Sequence, residues 1–190
     1  DGEAQDNARN NYLWEGALDA AEMHRSHLLV ALVNHGESPI DAGILHTKLV
    51  AAACRLDNVI GVYFPGTVIS PGSYLEEAEH IRKGTIPLLD WVWFGLYQSE
   101  EGCGGYTRGL TVFGKEELEV VNFEGDLQTV RDILVDVAFY ILQEDATLDP
   151  GDGISLPTGD VLTVTRSPGY SLDEETLKIG IPKGFRSQVN

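Results

Sequence analysis

Three strand-length segments follow one another between Leu88 and Asn122, "LLDWVWFGLYQ", "GYTRGLTVFG" and "ELEVVN". Only "SEEGCGG" and a turn at Gly114 and Lys115 separate them. Links that short cannot carry a crossover, so these strands must run as an antiparallel meander. A sheet needs a cover, and the chain supplies one next: Leu127, Val130, Leu134, Val137 and Ile141 recur at helical spacing behind Asp126, a good N-cap residue. The pattern predicts a long helix from Asp126 to about Glu144 lying on the sheet, with the Leu88–Gln98 strand near the sheet's centre.

The first half reads differently. From Glu3 to about Met23, the residues Ala4, Ala8, Leu13, Trp14, Ala17, Leu18 and Ala21 fall on one helical face with small side chains. "HLLVALVNHG" is a continuous apolar run ended by Gly36, the pattern of a strand buried on both faces. Asp41 is placed to cap a second helix, with Ile44, Leu45, Leu49, Ala52 and Ala53 on one side. "NVIGVYFPG" is a short strand stopped by Pro65 and Gly66, and Ser73 with Glu76 has the capping-box spacing that opens a third helix through Ile81. This alternation predicts strands joined through helical crossovers. The tail, with "GDGISLPTGDVLTVTRSPGYSLDEETLKIGIP", adds short strands among Gly and Pro turns.

The predicted class is α+β: a single domain over residues 1–190, its mixed sheet built with helical crossovers in the first half and with an antiparallel meander under a long helix in the second. At 43% hydrophobic residues the chain can bury one substantial core. The only Met, Met23, lies inside a helical pattern, so residues before Asp1 are expected to be missing.

Thirteen basic against thirty acidic residues give a net charge of −17. That excess disfavours phosphate backbones and anionic lipid, so neither a nucleic acid nor a membrane is expected as partner. It would attract a basic protein, and it also serves solubility. No run approaches the roughly 18 apolar residues of a membrane span. Cys54 in "AAACRL" reads as a buried helical thiol and Cys103 in "EEGCGGY" as a loop thiol, so reduced cysteines are expected rather than a disulfide.

Chemistry concentrates in "GYTRGLTVFGKEELEVVN". On a strand, Glu117 and Glu119 share a face with Val121 and stand roughly 6–7 Å apart, a separation suited to an acid and a base flanking a water. The same alternation describes a solvated strand face, on which Tyr106, Arg108, Glu116, Glu117 and Glu119 would form a binding surface. Arg108 could instead pair with one of the glutamates across the hairpin.

His24 and His27 bracket a helix-to-strand junction and are the other candidate acid–base groups, although a histidine at a helix C-terminus also serves the last carbonyls. Neither they nor the scattered His35, His46 and His80 have a partnered spacing, so no metal is expected. No phosphate loop, dinucleotide fingerprint or nucleophile elbow is present, and no cofactor is expected. Trp91, Trp93 and Tyr97 would share one side of a strand, as core or as a pocket wall.

"HRSHLLVAL", "KLVAAACRLDNVIGVYF", "WVWFGLY", "TRGLTVFGKEELEV" and "DGISL" follow in an order that resembles the bacterial family catalogued as domain of unknown function 4261, from about Trp14 to Ile154. Its most specific part is Thr107-Arg108-Gly109-Leu110 followed by Phe113-Gly114 and Glu117-Leu118-Glu119-Val120. The resemblance implies a bacterial cytoplasmic protein and a further strand before Asp1, and it brings no activity. Two functions stay open: an acidic, immunity- or antitoxin-like module that covers a basic partner, and a small hydrolase or small-molecule-binding domain using Glu117 and Glu119 with His24 and His27.

Overall fold

Helical spacing alone would carry one helix from Glu3 to Met23, but the backbone turns after Asn10. Asn11 Oδ1 accepts hydrogen bonds from the N–H groups of Leu13 (2.7 Å) and Trp14 (3.0 Å), which offers the chain a local alternative to the helix ladder. Two short helices result, α1 (Glu3–Arg9) and α2 (Ala17–Met23), with Ala8, Ala17 and Ala21 packed together against Val68. The structure is a computed structural model that describes residues 2–33, 35–64, 66–182 and 184–185. The chain divides into two compact units, Asp1–Trp93 and Phe94–Asn190.

In the first unit, the helices begin where serines cap them, upstream of the predicted caps. Helix α3 (Pro39–Ala53) starts behind Ser38, whose Oγ accepts from the Asp41 N–H at 3.2 Å. Proline at its first position costs nothing, because that N–H has no helical partner. Thr47, Val50 and Ala51 are its buried residues, while Leu45 and Leu49, expected inside, are exposed. Strands β1 (Val62–Phe64) and β2 (Thr67–Ile69) pair as an antiparallel hairpin; the predicted stop at Pro65 lies outside the described residues. Helix α4 (Pro71–Ala78) is capped by Ser70 through the Ser73 N–H at 3.0 Å, and a 3₁₀ turn, Glu79–Lys83, extends it.

Two predicted strands differ. The run His27–Gly36 forms no strand over its described residues. An apolar run states a preference for burial and not for a conformation, and a strand needs a neighbour to complete its hydrogen bonds. Leu88–Gln98 is likewise not one strand. Leu88–Trp91 is a helical turn, α5, whose Leu89 N–H donates to Glu77 Oε1 at 3.1 Å, and the strand proper, β3, is Trp93–Ser99.

The second unit carries the mixed sheet. After β3 come β4 (Gly102–Arg108), a 3₁₀ turn at Leu110–Phe113, β5 (Leu118–Phe123), helix α6 (Leu127–Gln143), β6 (Gly153–Ser155), β7 (Val161–Pro168) and β8 (Glu175–Gly180). The strand order is β3-β4-β5-β8-β7-β6. The meander is present, but β3 lies at the sheet's edge rather than its centre, because β8 enters on the far side of β5 and brings β7 and β6 with it. β5 and β8 are parallel, so the crossover that makes the sheet mixed runs through α6.

Helix α6 begins as the sequence predicts. Asp126 Oδ1 accepts from the Thr129 N–H at 2.8 Å, and Val130, Ile133, Leu134, Val137, Ala138, Ile141 and Leu142 are buried on its inner face. It packs on β4 and β5. Gly105 lets it approach, since a Cβ there would meet the Gly95 carbonyl at 2.8 Å and Val130 at 3.0 Å.

Candidate functional site

The two glutamates at the heart of the sequence motif are not on a wet face. Glu117 is 2% exposed and Glu119 is 1% exposed. Each carboxylate is the anchor of a loop. Glu117 Oε1 accepts from the N–H groups of Gly109 (2.8 Å) and Thr111 (3.2 Å) and from Thr111 Oγ1 (3.2 Å), while Oε2 accepts from Thr107 Oγ1 at 2.7 Å. Thr107 Oγ1 in turn accepts from the Leu118 N–H at 2.8 Å, which ties the strand to its own anchor. Gly109 has φ +131°, a conformation that suits glycine and aims its N–H at the carboxylate.

Glu119 repeats the device on the β7–β8 turn. Its Oε1 accepts from the Ser171 N–H (2.7 Å) and its Oε2 from the Tyr170 N–H (2.9 Å) and Thr176 Oγ1 (2.8 Å), with Lys178 Nζ also 2.9 Å from Oε2. The parallel register that sets Glu119 beside Lys178 brings the ion pair about. Burial pushes the Glu119 carboxyl up, but the bonds from Tyr170, Lys178, Ser171 and Thr176 outweigh it and hold the group below its ordinary value of 4.5.

These anchors have no free oxygen with which to work on a substrate. Sequence reasoning left the carboxylates as an acid–base pair or a solvated face because strand alternation was the only information; the donors that bury them come from turns and from the neighbouring strands, and those of Glu119 lie more than fifty residues away.

The remaining candidates separate. Glu116 is half-buried and forms a two-point pair with Arg166, at 2.8 Å to Nε and 2.6 Å to Nη2. Arg108 is exposed at the end of β4. The ring of Tyr106 lies over Gly95, where a Cβ would come within 2.2 Å of it, so it fills a gap in the neighbouring strand. Tyr97 stacks on Tyr170 with ring centroids 5.3 Å apart, and burial with the nearby Glu119 charge pushes its phenol up to about 12. His24 Nδ1 lies 2.6 Å from the Ala21 carbonyl at the end of α2, the capping contact expected of a histidine there, and His27 is exposed in the same unit. Cys103 is not in a loop: it is fully buried in β4 with its thiol donating to the Phe123 carbonyl at 3.4 Å.

Both cysteines are free thiols. Among the described residues no group of three or more His, Cys, Asp or Glu is placed to hold a metal ion, and no helix is long and apolar enough to cross a membrane.

Residues 106–180 match the family model described as Domain of unknown function (DUF4261). The likeness to that family covers this segment, 75 of the 190 residues. It opens one residue before Thr107 and closes two after Lys178, so every donor to Glu117 and Glu119 lies inside it. The resemblance read from the sequence reached back to Trp14, and the match begins later, at Tyr106. Neither a curated protein nor a solved structure matches the chain. Within the matched segment, Thr107, Gly109, Glu117 and Glu119 fix two turns onto one strand, a structural assignment for a motif that reads as catalytic in one dimension.

The first unit holds a polar cluster that sequence reasoning missed. Asp90 is 6% exposed, and its Oδ2 has no hydrogen-bond partner among the described residues. Burial, and then the charge of Glu77, push its carboxyl up to about 9, so it is neutral at physiological pH. Its charge in turn acts, after burial, to raise both the Cys54 thiol and the Tyr74 phenol. Thr47 completes the cluster by accepting from Trp91 Nε1 at 2.7 Å. Three acids that all keep their protons offer no base and no thiolate, so the cluster is not set up for nucleophilic chemistry. A lone Asp inside "IPLLDWVWF" was its signal.

Proposed function

We propose that the protein is an interaction module for a basic protein, in the manner of the immunity or antitoxin factors that cover a cationic partner, and that it works in the cytoplasm. The reading is carried by the outward face of α6. Asp132 and Asp136 are one turn apart there, and Phe139 and Tyr140 continue the same stripe, 36% and 48% exposed. Burial, and then the charge of Asp132, raise the Asp136 carboxyl, and a guest cation would favour its ionised form. Asp132 already accepts from Gln128 Nε2 at 2.7 Å and lies 3.8 Å from Arg131, so an arginine lying along this stripe would meet Asp136 beside it and then the face of an aromatic ring.

The surroundings favour such a guest. The second unit holds seventeen acidic against seven basic residues, and four of those cations, Lys115, Arg131, Arg166 and Lys178, already face a carboxylate of the same unit. The hydrolase reading loses its principal residues, because Glu117 and Glu119 are saturated by structural hydrogen bonds.

Fluorescence anisotropy with labelled nona-arginine tests the proposal. Binding is expected, weakening steeply between about 50 and about 300 mM salt as exposed charges are screened. Asp132→Asn with Asp136→Asn should weaken it by about tenfold, as should Phe139→Ala with Tyr140→Ala. No binding at low salt rejects the reading; binding that ignores both double variants removes α6 as its seat.

A further inference from the structure

Residues 24–33 leave α2 without joining a helix or strand, and several of their apolar side chains are exposed. Met23 is 72% exposed, Leu28 67%, Leu29 82% and Val33 74%. Only part of the segment turns inward. Val30 packs against the cluster of Val50, Ala51, Cys54 and Tyr74, and its carbonyl lies 3.1 Å from His46 Nε2, so the segment is held along α3. Leu45 and Leu49 of α3 flank that histidine and are 49% and 44% exposed. An apolar face of this extent on an otherwise highly charged chain is the signature of a contact surface.

Charge decides what covers it. Residues 24–56 carry Arg25, Lys48 and Arg55 against Glu37 and Asp41, together with four of the five histidines. With histidine neutral, this stretch has a net charge of +1, and the rest of the chain carries −18. Two copies repel one another across every strongly acidic face, and this is where that repulsion vanishes. A basic partner, in contrast, finds nothing to attract it here.

We infer that this face joins two copies of the chain, with Met23–Val33 and the Leu45–Leu49 side of α3 meeting their equivalents across a two-fold axis. A self-complementary apolar patch is what an isologous interface requires. The contact is separate from the α6 face, and salt acts on it in the opposite direction: screening removes the repulsion between the acidic remainders and strengthens the pair, whereas it weakens binding of a basic partner.

Sedimentation velocity from about 1 to about 200 µM protein, at low and high salt, tests this. The expected result is a concentration-dependent doubling of mass that shifts to lower concentration when salt is added. Leu29→Asp and Val33→Asp, each on an exposed side chain and each checked for an unchanged melting curve, should weaken the dimer by at least about a hundredfold. Lys48→Glu should weaken it as well, by adding like charge to both rims. A wild-type protein that stays monomeric throughout, or Asp variants that dimerise as the wild type does, overturns the inference. So does a monomer that co-sediments with vesicles of phosphatidylserine and phosphatidylcholine through the same leucines, which would make the face a membrane contact.

Discussion

Glu117→Gln is expected to unfold the second unit at markedly lower denaturant than the wild type, and Glu119→Gln to do the same. An amide keeps one acceptor oxygen and turns an NH2 group toward N–H and O–H donors that had been facing a carboxylate. At Glu117 this strands donors among Gly109, Thr107 and Thr111; at Glu119 it also leaves Lys178 without its counter-charge. Each unmet buried donor costs about 1–3 kcal/mol, so the loss should be about 2–5 kcal/mol out of a total of about 5–15.

Far-UV circular dichroism during urea unfolding is the measurement, and Glu116→Gln is the control. Its pair with Arg166 lies at the surface, each side chain more than a third exposed, and should be worth no more than about 1 kcal/mol. Acid adds a second signature. The folded-state value of Glu119 lies below its unfolded one, so the stability it contributes is present above about 4.5 and disappears as pH falls through the lower, folded value. Glu119→Gln should lack that part of the acid transition. A variant with an unchanged urea midpoint would show that the turns hold themselves, and the anchoring role would be lost.

The second large effect has the opposite sign. Asp90→Asn should stabilise the first unit at neutral and alkaline pH and change little near pH 4. In the folded protein the carboxyl keeps its proton up to about 9, whereas the unfolded chain releases it near 3.8. Between those limits the folded state binds the extra proton, so stability falls as pH rises; the cost is absent below the unfolded value and complete above the folded one. Asparagine copies the neutral acid and has no proton to lose.

Glu77 on α4 is the charge that worsens the ionised state, and Tyr74 and Cys54 are the other titratable groups facing Asp90. All three tryptophans, Trp14, Trp91 and Trp93, belong to this unit, so tryptophan fluorescence reports its melting directly. The expected gain at pH 8 is several degrees, at about 2–4 °C for each kcal/mol in a chain of this size. Equal gains at pH 4 and pH 8 would mean that packing, and not the proton, sets the cost.

What the residues disclosed in one dimension, and what they hid, follows the range of the forces involved. Helix α6 was legible down to its cap because Asp126, Thr129 and the apolar stripe act within a few residues of one another. The meander was legible because its links are short. Neither the place of β8 beside β5 nor the burial of Glu117 and Glu119 was legible, since strand alternation gives the two faces of a strand without saying which is covered. The broken N-terminal helix turned on one side chain, Asn11, competing for backbone that the apolar spacing had already claimed. In "HLLVALV" the hydrophobic drive is plain, but its partner is not supplied by any described strand.

The position of β8 constrains how the domain is made. It is the last of the described strands in chain order, yet it sits inside the sheet between β5 and β7, and the clasp it closes joins side chains 57 residues apart, Glu119 and Thr176. Until Glu175–Gly180 have left the ribosome, β5 has an open edge and a carboxylate with nothing to receive it. At about 5–20 residues per second, that interval lasts several seconds, in which a strand edge and an unpaired charge are both presented to the cell. Loop closure over such a distance is slow, and the assembly of the β5–β8 ladder should set the pace of folding. A nascent chain of this kind is most exposed to misassembly between the synthesis of β5 and that of β8.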